Sequence, residues 1–293
     1  MFDLLILIGN WDWVFSSNPI FFLRDPSKFP LYAHTQKRNP QTNMRDPTMF
    51  WDYLSTHQES AHAVLNLFSD RGTPYTYRHM HGYSGSTYKL TKPDGTFHYI
   101  QVHLKTDQGI KNFTADEAAS MTAENPEWHT QDLFDSIAGG ESPSWTCYMQ
   151  VLSPEQAERL DQNIFDVTKC WPHKNAPLRK FGKLTLNRNP DNYFAEIEQA
   201  AFSPSHMVPG VEPSADPVLQ ARLFAYPDAQ RHRLGVNNQQ IPVNQPLHAF
   251  NPYQRDGTMA VNGNYGSNPV SITHLRNSLD SNACRIILVL FDP

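Results

Sequence analysis

Arg222 and Tyr226 stand four residues apart within Val218 to Arg233, a stretch read as a helix, so guanidinium and phenol share one face a turn apart. A fixed cation beside a phenol favours the phenolate, and a tyrosinate is a hard anionic ligand suited to iron. Taken alone, the pair also fits an ordinary helix surface. Thirteen histidines offer other chemistry, with His79 and His81 two apart on an extended segment. No His-Glu-x-x-His string occurs and no third ligand accompanies those two, so a metal site built on these histidines is not expected. Three cysteines, Cys147, Cys170 and Cys284, are odd in number and lack a Cys-x-x-Cys pair, which argues for a reducing compartment over a disulfide framework or a cysteine zinc site.

The elements that must position these groups are legible in part. Thr87 to Leu90 and Phe97 to Leu104 flank Pro93-Asp94-Gly95 and read as a hairpin, with His98, Ile100, Val102 and Leu104 on one face. Thr114-Ala-Asp-Glu117 is a capping box that opens a short helix, and Asp132 to Ala138 before Gly139-Gly140 is a second helix. Ser144 to Leu152 and Gly182 to Leu186 read as two further antiparallel strands. Phe165 to Lys180 and Ser203 to Pro217 are dotted with proline and read as extended wrapping loops. The reading is a mixed α+β chain, strands first and helices later.

Composition narrows the class. The chain has 293 residues, 39% apolar and 12% aromatic, enough to bury a core, and 23 prolines against 18% charged residues favour irregular segments over helix bundles. The net charge, 24 − 29 = −5, argues against a general nucleic-acid or anionic-membrane binder. The longest apolar runs, Leu4 to Ile8 and Ile286 to Phe291, are far shorter than a membrane helix. No Lys or Arg precedes Arg24, so a secretory signal is not expected and Asn112-Phe-Thr114 is read as an unused sequon.

The string around the pair, Arg222-Leu-Phe-Ala-Tyr226-Pro-Asp-Ala-Gln-Arg-His-Arg-Leu-Gly235, resembles the heme catalases of the small-subunit, NADPH-binding branch. The resemblance runs through Gly9-Asn-Trp-Asp12, Pro19-Ile-Phe-Phe22, Gln36-Lys-Arg-Asn-Pro40, Phe68-Ser-Asp-Arg-Gly72, Lys105-Thr-Asp-Gln-Gly109, Trp171-Pro-His173, Leu186-Asn-Arg-Asn-Pro190 and Tyr253-Gln-Arg-Asp-Gly257. It implies heme-dependent disproportionation of hydrogen peroxide to water and oxygen, heme b with NADPH as a possible second cofactor, and a homotetramer. It makes Tyr226 the iron ligand and Arg222 the cation that keeps it ionised, with Arg233 at a heme propionate and Val14, Phe21, Phe29 and Phe202 around the ring. His62, Ser69, Arg71, Lys105, Trp171 and His173 match the NADPH site, where the family commonly has Asn at the position of His81.

The same resemblance sets expectations where this chain departs from it. The family's distal base is a histidine well upstream of the Gly-Asn-Trp-Asp motif; only eight residues precede Gly9 and none is histidine. The distal Asn falls on Ser16, and the histidine that supports the arginine falls on Ser86 while its acidic partner is kept as Asp216, a relay expected to be broken. Ala221 and Gln230 replace the usual Gly and His. The expected fold is the second half of an antiparallel β-barrel with wrapping loops and a proximal heme helix, divided into an unmatched 1–8, a partial core 9–269 and an unmatched tail 270–293. Both ends are expected to reflect gene-boundary errors, a truncated gene copy or read-through. An inactive fragment is the alternative to the enzyme, and a peroxidase using His79 or His81 as a new distal base is a third reading. Location is expected to be intracellular, peroxisome or cytoplasm, although Leu290-Phe-Asp-Pro293 carries no Ser-Lys-Leu-type address.

Overall fold

The computed structural model describes residues 2–6, 9–246 and 257–259. The tail 270–293, residues 253–256 of the last motif, and Met1, Leu7 and Ile8 lie outside the described residues. In chain order, β1 (Phe2–Ile6) and β2 (Gly9–Trp13) pair antiparallel, and three helices follow: α1 (Phe29–Thr35), α2 (Pro47–Thr56) and α3 (Ala61–Phe68). Next come β3 (Gly82–Tyr83), β4 (Tyr88–Thr91), β5 (Phe97–Thr106), α4 (Ala115–Glu124) and α5 (Trp128–Ala138). The chain continues through β6 (Ser144–Leu152), α6 (Pro154–Glu158), β7 (Arg179–Thr185), β8 (Val211–Pro213) and α7 (Pro217–Leu234). The main sheet is antiparallel with order β7-β6-β5-β4-β8, and β3 adds to β5; it curls as a half-barrel.

The hairpin forms where the sequence expects it. Thr91 pairs with Phe97, Gly95 takes φ +83° at the tip, and the Asp94 carboxylate accepts the Thr96 N–H at 2.9 Å. Alternation on β5 then buries Ile100, Val102 and Leu104 against Trp13, Met149 and Leu219. Gln101 and His103, on the opposite face, are buried as well. A second core built from Leu152, Ile164, Trp171 and Ala176 explains this, because the 160–176 segment folds over that face of the sheet. Burying amides there requires partners, and Gln150 has them: its Nε2 donates to Ala176 O and its Oε1 meets His103 Nε2 at 3.0 Å.

Four expectations change. Helices α1 to α3 precede the main sheet, reversing the expected order; Asp25 and Asp46 accept the Ser27 and Thr48 N–H groups and are each followed by proline, start signals that the dense aromatics obscured. β8 lies inside the stretch expected as a loop, because pairing of Val211 with Leu90 overrides the flanking prolines. β7 begins at Arg179, within the other expected loop, and absorbs a register shift at Cys147/Tyr148. α5 begins at Trp128, four residues early, held by its indole N–H on Tyr75 O at 2.9 Å.

Close approach explains one motif. A Cβ on Gly72 would sit 1.7 Å from Leu67 O, so the turn ending Phe68-Ser-Asp-Arg-Gly72 admits only glycine. A second motif ends in Asp12, which is buried and binds the Ser203 N–H at 2.8 Å and His206 Nδ1 at 2.7 Å, tying β2 to the loop before α7.

Candidate functional site

α7 carries the pair and Asp216 anchors it. The Asp216 carboxylate is fully buried and accepts N–H groups from Val218 (2.9 Å), Leu219 (3.1 Å) and, from the entry to β4, Thr87 (3.1 Å). Burial raises its pKa, opposed by those three donors and by the Arg222 charge. Tyr88, also buried beside the helix, is pushed up to about 12 by the same loss of solvent.

The first turn of α7 is thereby fixed against the sheet, and Arg222, one turn further on, makes two contacts of its own. Its Nη1 donates to Ser86 Oγ at 3.0 Å and its Nη2 to Val14 O at 2.7 Å. Its guanidinium carbon lies 5.4 Å from the centre of the Tyr226 ring. Tyr226 is half-buried, and among the described residues its hydroxyl has no hydrogen-bond partner. A phenol oxygen left free beside a clamped guanidinium is a donor set that suits a ferric ion. Ser86, shorter than histidine, still reaches the arginine, while Asp216 is engaged by backbone; the two meet through the adjacent residues Ser86 and Thr87.

The other expected contacts divide. Val14 is buried and contributes its carbonyl to Arg222. Phe21 joins the core of Leu23, Val167 and Val218 at the start of α7, whereas Phe29 is 49% exposed with its ring 6.3 Å from Phe22. At the far end of α7, Gln230 Nε2 donates to Phe202 O at 3.1 Å. Arg233 is exposed, yet its guanidinium is committed to Ala200 O at 2.6 Å, Glu198 O at 2.5 Å and Gln230 Oε1 at 2.7 Å. Ser16 is exposed, its Oγ accepts the Asn18 N–H at 3.2 Å, and its backbone bridges Tyr83.

A second cluster gathers on the outer face of the sheet. Lys105 Nζ donates to the Tyr83 hydroxyl at 3.0 Å, and the charges of Lys105 and Arg71 both reach His81 and Cys170. Burial and those two cations push His81 down to about 4. His103 is also held at about 4, by burial first and then by Lys105, with His173 and His81 adding to it. Arg71, Lys105 and His173 therefore lie within electrostatic reach of one or both of the imidazoles of His81 and His103, of which His103 was not a candidate in the sequence. His103 Nδ1 is buried, an acceptor with no donor among the described residues. Cations beside an orphaned acceptor suit a ligand that carries both phosphate and hydroxyl groups. Ser69 Oγ caps the turn before Arg71 at 3.3 Å, and His62 is exposed on α3. Trp171 is a core residue, 2% exposed, with its indole N–H on Ile164 O at 3.1 Å.

Among the described residues no three His, Cys, Asp or Glu side chains gather as a metal site, and no helix is long and apolar enough to cross a membrane. The alternating face of β5 signals its apolar side only; His103 and His81 become visible once β3 is known to pair with β5, Tyr83 opposite His103.

A helix that presents an arginine-clamped tyrosine against a curled antiparallel half-barrel defines a protein of the heme catalase type. The family profile described as Catalase matches residues 7–279, and the chain belongs to that family. It is 59% identical over 263 residues to the peroxisomal catalase of Candida tropicalis, covering 89% of this chain and 54% of that protein. It is 58% identical over 273 residues to peroxisomal catalase A of Saccharomyces cerevisiae, covering 92% and 52%. A fungal catalase crystal structure superposes with a TM-score of 0.88 at 58% identity, covering 92% of this chain and 55% of that one; a bacterial catalase gives 0.88 at 42%, covering 92% and 52%. The chain thus spans about half the length of the curated relatives it matches.

Proposed function

We propose that this chain serves heme-dependent disproportionation of hydrogen peroxide to water and oxygen, with residues 9–269 as its core unit. The observation that carries the reading is the Tyr226 phenol, without a partner among the described residues, beside an Arg222 guanidinium fixed by Ser86 and Val14. Tyr226 would hold the iron of heme b, and Arg222 would keep negative charge on its oxygen. Heme would supply the redox chemistry toward peroxide. Val14, Phe21, Phe29 and Phe202 would border the ring, and Ser16 would offer its hydroxyl on the peroxide side. Arg233 would meet a propionate only by giving up carbonyl contacts, so its share in binding would be small. NADPH would sit at Arg71, Lys105 and His173, bordered by His62, Ser69 and the Trp171 backbone.

The relatives named as peroxisomal catalases support a peroxisomal location within the cell, and the family resemblance supports a homotetramer. A second reading, a chain that binds heme or nucleotide without turning over peroxide, is favoured by one observation: the Ser16 oxygen already accepts the Asn18 N–H of its own turn, which ties the short side chain locally and leaves it only its O–H to direct elsewhere.

Hemin titration of the purified chain tests both. A Soret band and oxygen release above free hemin, each lost in Tyr226→Phe, support the enzyme. A Tyr226-dependent Soret band without oxygen release supports the binding-only reading. A spectrum unchanged by Tyr226→Phe overturns both.

A further inference from the structure

At one end of the main sheet its apolar face turns cationic. Ile100, Val102, Met149 and Val151 share that face and are buried. Alternation continues it to His98 on β5, and pairing with Met149 puts Arg179 of β7 on it as well. In an antiparallel sheet the close of β4, the start of β5, the close of β6 and the start of β7 fall at the same end. Lys92, just after β4, therefore gathers there with His98, Val151 and Arg179, and α6, which follows β6, adds Arg159 at its C-terminus. Together they line an open groove of about 540 Å³.

The cations of this groove are uncommitted. Arg24, Lys28, Arg78, Lys89 and Lys183 each reach a carboxylate. Among the described residues the side chains of Lys92, Arg159 and Arg179 have neither an ion pair nor a hydrogen bond. The two nearby acids are engaged locally: Glu155, in the groove, accepts the Ser153 hydroxyl at 2.6 Å, and Asp94, at the hairpin tip, accepts the Thr96 N–H at 2.9 Å and its hydroxyl at 2.7 Å. The charges of Arg159 and His98 reach Glu155, and that of Lys92 reaches Asp94. The lining thus carries two arginines and a lysine against one carboxylate, in a chain whose net charge is −5. Cations drawn from separate elements into one cavity repel one another, a cost that a bound anion reverses.

The donors indicate which anion. Two guanidiniums and an ammonium carry far more N–H groups than one carboxylate has lone pairs to accept, whereas a chain of phosphates offers oxygens to all of them. The groove also falls within the size range of small-molecule sites, roughly 300–1,000 Å³. We propose that it binds a triphosphate group, held by Arg159 and Arg179 with Lys92 as a third point charge. The site is distinct from the Arg71 and Lys105 cluster, because Lys105 stands near the other end of β5 and on its other face, roughly 20 Å along the strand from His98. It stands independently of the heme reading.

Calorimetric titration of the purified chain with inorganic tripolyphosphate, ATP and citrate tests this, alongside Arg159→Met, Arg179→Met, Arg179→Lys and Lys105→Met. Tripolyphosphate should bind, and each methionine variant at an arginine should weaken it by roughly tenfold or more, as loss of a hydrogen bond to a charged group gives. Arg179→Lys should recover part of the affinity through its charge, and Lys105→Met should leave the arginine-dependent binding unchanged. Both arginines are exposed, so their variants should keep the wild-type urea midpoint. ATP binding more tightly than tripolyphosphate would support a nucleotide as the source of the phosphates, and weaker ATP binding an inorganic chain. Citrate binding as tightly as tripolyphosphate would overturn the phosphate assignment. Wild-type protein that binds no tripolyphosphate, or binding that survives both arginine variants or is lost in Lys105→Met, would overturn the site itself.

Discussion

Replacing Asp216 with alanine removes the side chain that joins the first turn of α7 to the entry of β4. Three N–H groups lose their acceptor, those of Val218, Leu219 and Thr87. Loss of the N-cap costs about 1 kcal/mol, and a buried Thr87 N–H without a partner costs about 1–3 kcal/mol more. One effect opposes these: the carboxylate is disfavoured by its own burial, so removing it releases part of that cost. The expected destabilisation is about 2–3 kcal/mol, read from urea unfolding followed by tryptophan fluorescence. Asp216→Asn keeps an oxygen for the helix N–H groups while turning an amide toward Thr87, so it should fall between wild type and alanine. The pH dependence has a definite sign. Burial raises the folded pKa above the ordinary 3.8, so the stability linked to this group is fully present below the unfolded value and is lost as pH rises through the folded one. Wild type should therefore gain on Asp216→Asn as pH falls. An alanine variant within about 0.5 kcal/mol of wild type would refute the reasoning, because the three hydrogen bonds would then carry nothing.

His103 tests the second core by acid. Its folded pKa is about 4 against 6.5, so its contribution is present above 6.5 and is lost as pH falls through 4; wild type should lose roughly 3 kcal/mol relative to His103→Gln between pH 7 and pH 4 in urea titrations, and parallel curves would exclude a neutral buried imidazole. Gly72→Ala places a methyl 1.7 Å from Leu67 O and should destabilise by at least about 2 kcal/mol in the same assay, with a smaller loss showing that the turn relaxes freely.

Local chemistry made part of this fold legible. The Thr114 to Glu117 capping box forms with both reciprocal hydrogen bonds, and Ser144–Leu152 is a strand with the bounds its composition sets. Both depend on residues within one turn or one strand. The pieces that were missed depend on distant partners. β8 is three residues of proline-flanked chain that become a strand only because Leu90 has an open edge, and Gln101 and His103 are buried only because the distant 160–176 segment covers them. The Arg222 and Tyr226 spacing was readable; the meaning of that spacing came from the family string around it.

The site follows the same division. Side-chain identity can be read from a sequence, whereas Arg222 owes its position to a carbonyl, Val14 O, and Asp216 owes its grip on the sheet to an amide, Thr87 N–H. Any residue type can supply a carbonyl or an amide, so neither contact leaves a trace in composition or spacing. This also explains why the change from histidine to Ser86 is tolerated geometrically. The guanidinium needs one acceptor from that position, and a hydroxyl supplies it at 3.0 Å, while the link onward to Asp216 runs through the neighbouring backbone. What serine cannot reproduce is a titratable group between the arginine and the carboxylate. Any effect of that replacement should therefore lie in the charge balance around Tyr226, with the placement of Arg222 preserved.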